Sequence, residues 1–444
     1  MGAATKAKGK AAGEDEPDAK AEKARKAKEA ADEEAHARAQ ALLALNPLRV
    51  VLDREVFAER LGMVCAVVPT KAPREVYTLL LIEAVDAMHG GPCVRVTGQN
   101  GEVAIVATME EVDVQVEGRA LVSAARLRAM IGEMTCPRAT LTLEPQKGNL
   151  RIEDEGARFV LRADDPDLYP ASPPKGETVL RLPSACIAAA LDRVAFAAHT
   201  ERTRYSMNGV SFEVDPVKGP GRLSIVATDG KRASWCEIEA PDTKAEMAVV
   251  IPSLAIAALG RILARWPDEQ VEMAPVAMEE GVNTVTAMQL RTSRACVTAR
   301  LVEGHFPPWR DLPMWNEVWV GTLEINRAAL NQAIRAVAVV ADKITNVSRW
   351  TITREGLKMG LRQTDTGDAA EVDVPGTFDG SDVSTGYCSS YVADALKHVG
   401  DVVRLGFAKA HGAHALRIDG EVPGAPQGAR ATWRYMVMPV NVTA

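Results

Sequence analysis

Three stretches of this chain are written in the same grammar, and that repetition limits what it can fold into. Residues 48–64 (LRVVLDREVFAERLGMV), 178–196 (TVLRLPSACIAAALDRVAF) and 320–340 (VGTLEINRAALNQAIRAVAVV) each begin with alternating apolar residues. Each then passes into apolar spacings of three and four, the change from a strand to an amphipathic helix. Asp53, Pro183 and Asn326 anchor the copies, 130 and 143 residues apart. Asp53, Ser184 and Asn326 stand where a helix N-cap belongs. A second copy lies inside each unit. These copies are GRALVSAARLRAMIGEM from Gly118, MAVVIPSLAIAALGRILARW from Met247 and VSTGYCSSYVADALKHVG from Val383, with Ser123, Ser253 and Ser389 as expected caps.

Between the helices, alternating segments turn at Gln99-Asn100-Gly101, Lys147-Gly148-Asn149 and Asp229-Gly230. Such turns join antiparallel strands. A period this long marks duplicated domains rather than a solenoid. The expected fold is α+β, with three similar domains that each pack two helices on antiparallel sheets. The divisions fall at 1–46 (a tail), 47–176, 177–314 and 315–444. Residues 1–45 hold no Val, Ile, Cys or aromatic residue, and their nine basic residues balance nine acidic ones. Nothing there can build a core, so the tail reads as a disordered extension. It lacks the apolar stretch of a secretory signal and is too acidic for an organelle transit peptide.

With the tail neutral, the formal charge of −7 falls on the remaining residues. The helical segments nevertheless carry Arg54 and Arg60, Arg126 and Arg128, Arg193, Arg261 and Arg265, Arg327 and Arg335, and Lys397. The fourth and fifth helices contain no acid. Solvated helix faces are the plain explanation. The functional one is a set of helices facing a polyanion, in sequence-independent contact with phosphates. Aromatic residues make up only 5% of the chain, which argues against a base-stacking platform. The seven cysteines are scattered without zinc-site spacing, which fits a reducing cytoplasm. No apolar run is long enough to span a membrane.

Catalytic patterns are missing. ATDGKRAS (Ala227–Ser234) looks like a fragment of a phosphate loop but lacks its upstream glycine and its hydroxyl after the lysine. His411 and His414 have no carboxylate or cysteine company that would make a metal site. Asp164–Asp165 and Asp32–Glu33 lie in polar contexts that would not tune a carboxylate for acid–base work. Neither an enzyme nor a cofactor or metal is expected.

RYSMNGVSFEV (Arg204–Val214), LSIVATDGKRAS (Leu223–Ser234), LVEGHFPPWRDLP (Leu301–Pro313) and YMVMPV (Tyr435–Val440) follow one another in an order and spacing that resemble the bacterial DNA polymerase III β subunit, the sliding clamp family. The resemblance covers about Leu48 to Val442. It implies a non-catalytic homodimeric ring of six domains that encircles double-stranded DNA regardless of sequence. Such a ring tethers the replicative polymerase and other DNA-processing proteins and makes synthesis processive. The implied partners are the catalytic subunit of DNA polymerase III, the clamp loader and repair proteins, all holding on through short peptide motifs.

Carried over by position, the wall of the peptide-binding pocket comprises Met207, Thr228, Gly230, Arg232, Pro307, Tyr391, Val437, Met438 and Pro439. Lys231, Ala233, Leu312, Ala413, Ala415, Met436 and Val440 are further counterparts. Three features depart from the family pattern. Ala233 replaces a common leucine, WRDLP is one residue short, and the chain runs on past Val440 as Asn441-Val442-Thr443-Ala444. Lys71, Arg204 and Tyr205 align with loops that touch DNA, and Arg128, Arg261 and Arg335 are the helix residues expected to do so. Val339 and Val340 fall where the third domain meets the next subunit. A scaffold that kept the ring but lost DNA is the competing reading; its helices would be stripped of Arg and Lys, and these are not.

Overall fold

The computed structural model describes residues 47–86, 91–199, 207–215, 221–278, 284–311, 319–341, 346–363, 367–410 and 413–440. The tail assigned to residues 1–46 lies outside them. The chain divides into two compact units: residues 1–59, 78–96 and 109–170, and residues 60–77, 97–108 and 171–444.

The N-terminal part contributes β1 (Leu48–Asp53), β2 (Leu79–Val85), β3 (Cys93–Gln99), β4 (Val103–Met109), β5 (Asp113–Val116), β6 (Gly118–Ser123), β7 (Arg138–Glu144), β8 (Asn149–Glu153) and β9 (Arg158–Asp164). Its helices are α1 (Arg54–Val64) and α2 (Ala124–Glu133). In the first unit the strand order is β2-β6-β9-β8-β7-β1-β5, with antiparallel pairs throughout. Leu48, Val50 and Leu52 are buried while Arg49 and Asp53 face solvent, the period of two that a half-buried strand requires. On α2 the buried residues are Ala124, Leu127 and Ile131, which leaves Arg126 and Arg128 exposed.

The second unit contains β10 (Leu180–Pro183), β11 (Gly209–Asp215), β12 (Arg222–Thr228), β13 (Arg232–Glu239), β14 (Met247–Pro252), β15 (Gln270–Val276), β16 (Ala287–Arg291), β17 (Ala295–Arg300) and β18 (Trp319–Asn326). It continues with β19 (Val347–Thr353), β20 (Gly356–Arg362), β21 (Ala369–Phe378), β22 (Val383–Cys388), β23 (Val402–Ala410), β24 (Ala413–Glu421) and β25 (Ala431–Val437). The helices are α3 (Ser184–Val194), α4 (Ser253–Arg265), α5 (Arg327–Ala338) and α6 (Ser389–Ala395). One sheet segment runs β10-β15-β16-β17-β4, and a longer one runs β14-β11-β12-β13-β25-β24-β23-β18-β21-β20-β19-β22. The last strand of the chain thus pairs with β13, from Arg232↔Val437 to Ile238↔Ala431, and joins the second repeat to the third.

Among the described residues the six α-helices fall where the repeated grammar places them, two to a repeat. α5 buries Leu330, Ala333, Ile334 and Val337 and leaves Arg335 in solvent, as an amphipathic stripe must. Among the described residues no helix is long and apolar enough to cross a membrane.

The expected caps divide into two kinds. Asp53 accepts from the Val56 N–H at 2.9 Å, and Asn326 accepts from the Ala329 N–H at 3.0 Å. Ser123 is a cap by position but makes no side-chain capping bond. Ser184, Ser253 and Ser389 are corrected: each is the first helical residue, and the caps are Pro183, Pro252 and Cys388. The strand there runs directly into the helix, so the serine turns inward. The Ser389 hydroxyl bonds that of Ser348, whereas the fully buried Ser184 hydroxyl has no partner. Lys397 is also displaced, to the short 3-10 turn Leu396–His398 that follows α6.

These differences make a prediction. Asn326→Ala should cost about 1 kcal/mol, the usual worth of a cap. Ser184→Ala should be neutral or stabilising, because it removes a buried hydroxyl that bonds nothing. Urea unfolding of the two variants checks both expectations, and a large loss for Ser184→Ala would mean that its hydroxyl does cap α3.

Candidate functional site

The tight turn between β12 and β13 builds the centre of the site. The Asp229 carboxylate accepts from the Lys231 N–H at 2.9 Å and the Arg232 N–H at 3.0 Å. The Thr228 hydroxyl donates to the Arg232 carbonyl at 2.7 Å and accepts from the Gly230 N–H at 3.1 Å. Gly230 has φ of 84°, a left-handed conformation that costs glycine nothing.

Arg232 leaves this turn with every branch of its guanidinium engaged. Nε donates to Asp229 at 3.0 Å, Nη1 to Asp394 at 2.8 Å and Nη2 to the Phe196 carbonyl at 2.7 Å. Its carbon lies 4.2 Å from the centre of the Tyr391 ring and 5.5 Å from that of Phe196. One side chain therefore ties the β12–β13 turn to the end of α3 and to α6. Burial alone would raise the Asp394 pKa, but hydrogen bonds from Arg232 and Lys397 hold it below the usual carboxylate value. Burial, with Asp229 and Cys388 beside it, raises the Tyr391 phenol.

The C-terminal residues are strapped across the same place. The Tyr435 hydroxyl donates to the Tyr391 carbonyl at 2.8 Å. The Met438 N–H donates to Lys231 at 2.9 Å, and the Val440 N–H to Gly386 at 2.8 Å. Phe196 packs against both Tyr435 and His398, at 5.4 and 5.5 Å between ring centres. Thr228, Gly230, Lys231, Arg232, Tyr391, Val437, Met438, Pro439 and Val440 thus come together where the second and third repeats meet. Met438 and Pro439 are half-buried, and Val440 is exposed.

The other face of the sheet holds a different set. Ala415 and Met436 are packed away with Val226, Trp235 and Trp309, beside the half-buried Phe306. Ala233 is buried too, opposite Met436 in the ladder. Trp309 caps this cluster: its ring lies 5.7 Å from Trp235, and its indole N–H donates to Glu213 at 2.9 Å. Arg310 also bonds Glu213, donates to the Ser224 hydroxyl at 2.9 Å and stacks on Trp309 at 4.2 Å. Pro307, half-buried, lies in this strap. Met207 is half-buried, and its carbonyl accepts from the His199 N–H at 3.1 Å. Leu312, Arg204, Tyr205 and His411 fall outside the described residues, as does the Ala413 side chain.

Sequence reasoning missed Asp229, Asp394 and Phe196, which hold Arg232, and Trp309 with Glu213. An Asp-Gly turn is a visible signal for Asp229. No local pattern points to Asp394, which lies 162 residues from its partner.

The helix cations also separate. Arg60 does not face solvent; it is buried, donates to the Thr108 carbonyl at 3.2 Å and stacks on Trp266 at 4.5 Å. Arg327 is paired with Asp401 at 3.0 Å, and Lys397 with Asp394 at 2.9 Å. Arg126, Arg128, Arg261 and Arg335 are exposed and make no ion pair with a described residue. Lys71 is exposed in the loop after α1. Val339, 83% exposed, projects from the end of α5 beside the half-buried Val340. No cluster of metal-ligating side chains occurs among the described residues.

The profile of the DNA polymerase III beta subunit central domain matches residues 181–308, and that of its C-terminal domain matches residues 320–420. This chain belongs to the DNA polymerase III β subunit family. The family's members are sliding clamps, processivity factors without catalytic activity, and the chain is their homologue. It is 24% identical to the beta sliding clamp of Streptomyces coelicolor over 403 residues, covering 89% of this chain and all of that one. Against the beta sliding clamp of Pseudomonas aeruginosa it is 24% identical over 356 residues, which is 80% of this chain and 91% of the relative. Its fold matches the crystal structure of the DNA polymerase sliding clamp from Bacillus subtilis with a TM-score of 0.75 at 19% identity, over 90% of this chain and 100% of that one. A sliding clamp from Bartonella birtlesii, bound to griselimycin, matches with a TM-score of 0.74 at 23% identity, over 89% and 100% of the respective chains. DNA and polymerase are the partners of the family as a class.

The Arg232 geometry predicts a structural role. Arg232→Ala would strand the part-buried Asp229 and Asp394 and leave the Phe196 carbonyl unpaired. The expected loss is on the order of 3 kcal/mol. Arg232→Lys keeps the charge but not the fork or the ring stack, so it should restore only part. Denaturant unfolding measures both, and a loss near zero for Arg232→Ala would show that the ties are not holding the junction.

Proposed function

We propose that this chain acts as a DNA sliding clamp built of three domains, residues 47–176, 177–314 and 315–444. Two copies join head to tail, and two-fold symmetry closes the ring. The exposed Val339 and the half-buried Val340 at the end of α5 meet the first domain of the partner copy. Arg128, Arg261 and Arg335 face the duplex, and Lys71, Arg204 and Tyr205 add contacts to it. The single observation that carries the DNA reading is the set of exposed arginines on α2, α4 and α5 that make no ion pair with a described residue, in a chain whose net charge is −7. Retention comes from topology, so the grip can stay weak and free of sequence preference. Tethering raises the effective concentration of a polymerase at its template.

The test is retention on DNA with and without ends. Protein loaded on a nicked circular plasmid should stay bound through gel filtration and leave once the plasmid is linearised. The combined change of Arg128, Arg261 and Arg335 to Glu should reduce loading and flatten its dependence on salt, because fewer counterions are released, while leaving the fold intact, because exposed charges contribute little stability. Equal retention on circular and linear DNA would replace topology by direct grip. No retention on either would leave the protein-interaction scaffold.

The junction of the second and third repeats serves as the groove for short partner motifs from polymerase, clamp loader and repair proteins. Half-buried Met438 and Pro439 beside the Thr228–Arg232 turn support that reading, since apolar positions around a few polar groups suit a linear motif. Removing the chain from Met438 onward deletes two backbone bonds, to Lys231 and Gly386, and one wall of the groove. The truncated protein should remain a dimer by light scattering and lose calorimetric binding of a Gln-initiated, Leu/Phe-terminated peptide. Equal affinity for both forms would place the groove elsewhere.

A further inference from the structure

Strand β14 ends its sheet, with β11 as its one neighbour in the strand order. In that ladder Val250 faces Ser211 and Ala248 faces Glu213. The Val250 carbonyl accepts from the N–H of Val302 at 2.9 Å, a residue that belongs to the segment after β17 and not to the sheet. The carbonyl therefore points away from β11. In an extended strand the N–H and C=O of one residue share a side, and the side alternates along the chain. The Val250 N–H and both main-chain groups of Ala248 consequently project from the same free edge, where no described residue bonds them.

A recess of about 640 Å³ runs along this edge, lined by Ala248, Val250, Val285, Leu301, Phe306 and Glu213 among others. Val285 stands 43% exposed beside it. Glu213 is already engaged by Trp309 and Arg310. The edge offers backbone groups spaced as in a strand, and beside them Val285, Leu301 and Phe306 supply apolar wall, with Thr284, Arg300, Glu303 and His305 as its polar neighbours. Unpaired strand edges of this kind recruit another main chain.

We propose that the β14 edge binds an extended polypeptide segment as an added strand. Its main chain bonds both groups of Ala248 and the N–H of Val250, whose carbonyl Val302 already holds, and its aliphatic side chains enter the recess between Val285, Leu301 and Phe306. A nucleic acid strand is disfavoured, because a phosphodiester offers no row of amide donors to match the edge, and the charges of the wall are mixed, Glu213 and Glu303 standing with Arg300 and His305. The floor strands are β11 and β14, not β13 and β25, so the site is independent of the groove at Arg232.

The probe is a fluorescein-labelled heptapeptide, acetyl-Lys-Val-Thr-Val-Thr-Val-Lys-amide, titrated against the full chain and followed by anisotropy. Saturable binding is expected. Ala248→Pro removes one outward N–H without touching the β11 ladder, a substitution that edge strands tolerate. It should weaken the probe about tenfold, the worth of one hydrogen bond and its geometry. Truncation from Met438 should leave probe binding unchanged.

A second measurement uses the unaltered protein, so it does not depend on the variant folding. The probe is N-methylated either at its Val amides or at its Thr amides. Strand addition requires one set to abolish binding and the other to spare it. Absence of saturable binding, equal affinity for the Ala248→Pro protein, or equal loss from both methylated probes would each overturn the proposal.

Discussion

The pairing of β25 with β13 is the interaction on which the rest of the second unit depends. It brings the last strand of the chain back beside the second repeat, 199 residues away along the sequence at the Ser234–Trp433 contact. A ladder of backbone bonds makes one sheet out of two repeats. A side-chain interface alone would leave the two repeats free to hinge, as interfaces between domains ordinarily do. The ladder also sets register. Once Arg232 lies opposite Val437, the next residues, Lys231 and Met438, are carried into contact, and the turn and the C-terminal segment meet without further provision.

Arg232 reinforces that seam. It is surrounded by two carboxylates, a carbonyl and two rings, so its charge is satisfied where water is scarce. Its removal would leave its partners exposed to a cost that no neighbour offsets. The same arrangement explains why a residue expected to touch a ligand is largely covered. It holds Tyr391 and the β12–β13 turn in place, and beside it Met438 and Pro439 are half-buried while Lys231 and Val440 are exposed. On the opposite face of the sheet Trp309 provides the second clamp, holding the strap between the repeats against Trp235.

The two faces show why the carried-over residues could not be sorted beforehand. Alternation along a strand says that neighbours such as Met436 and Val437 point to opposite sides, but not which side is covered and by what. Ala415 and Met436 lie under Trp309 because a segment more than 100 residues from either folds over them. Ala233, buried opposite Met436 in the ladder, lies on that same covered face.

Much was legible in the sequence. The strand-to-helix grammar placed the six α-helices of the described residues, because burying one face of a strand or helix demands those periods whatever the surroundings. Four short motifs in order identified the family, and the absence of any catalytic pattern agreed with a family that does no chemistry. Local signals were also enough for the Asp53 and Asn326 caps and the Asp-Gly turn, whose bonds span three residues or fewer. They failed at Ser184, Ser253 and Ser389, where the competing pull of the core turned a serine inward. Only the tertiary structure decided that Arg60 is buried on Trp266 while Arg128, Arg261 and Arg335 remain in solvent. It alone brought Asp394 to Arg232 and left the outer edge of β14 bonded at the Val250 carbonyl but open at Ala248 among the described residues. These outcomes depend on which distant segments arrive at a given face, and a one-dimensional pattern records the need for burial without naming the partner that supplies it.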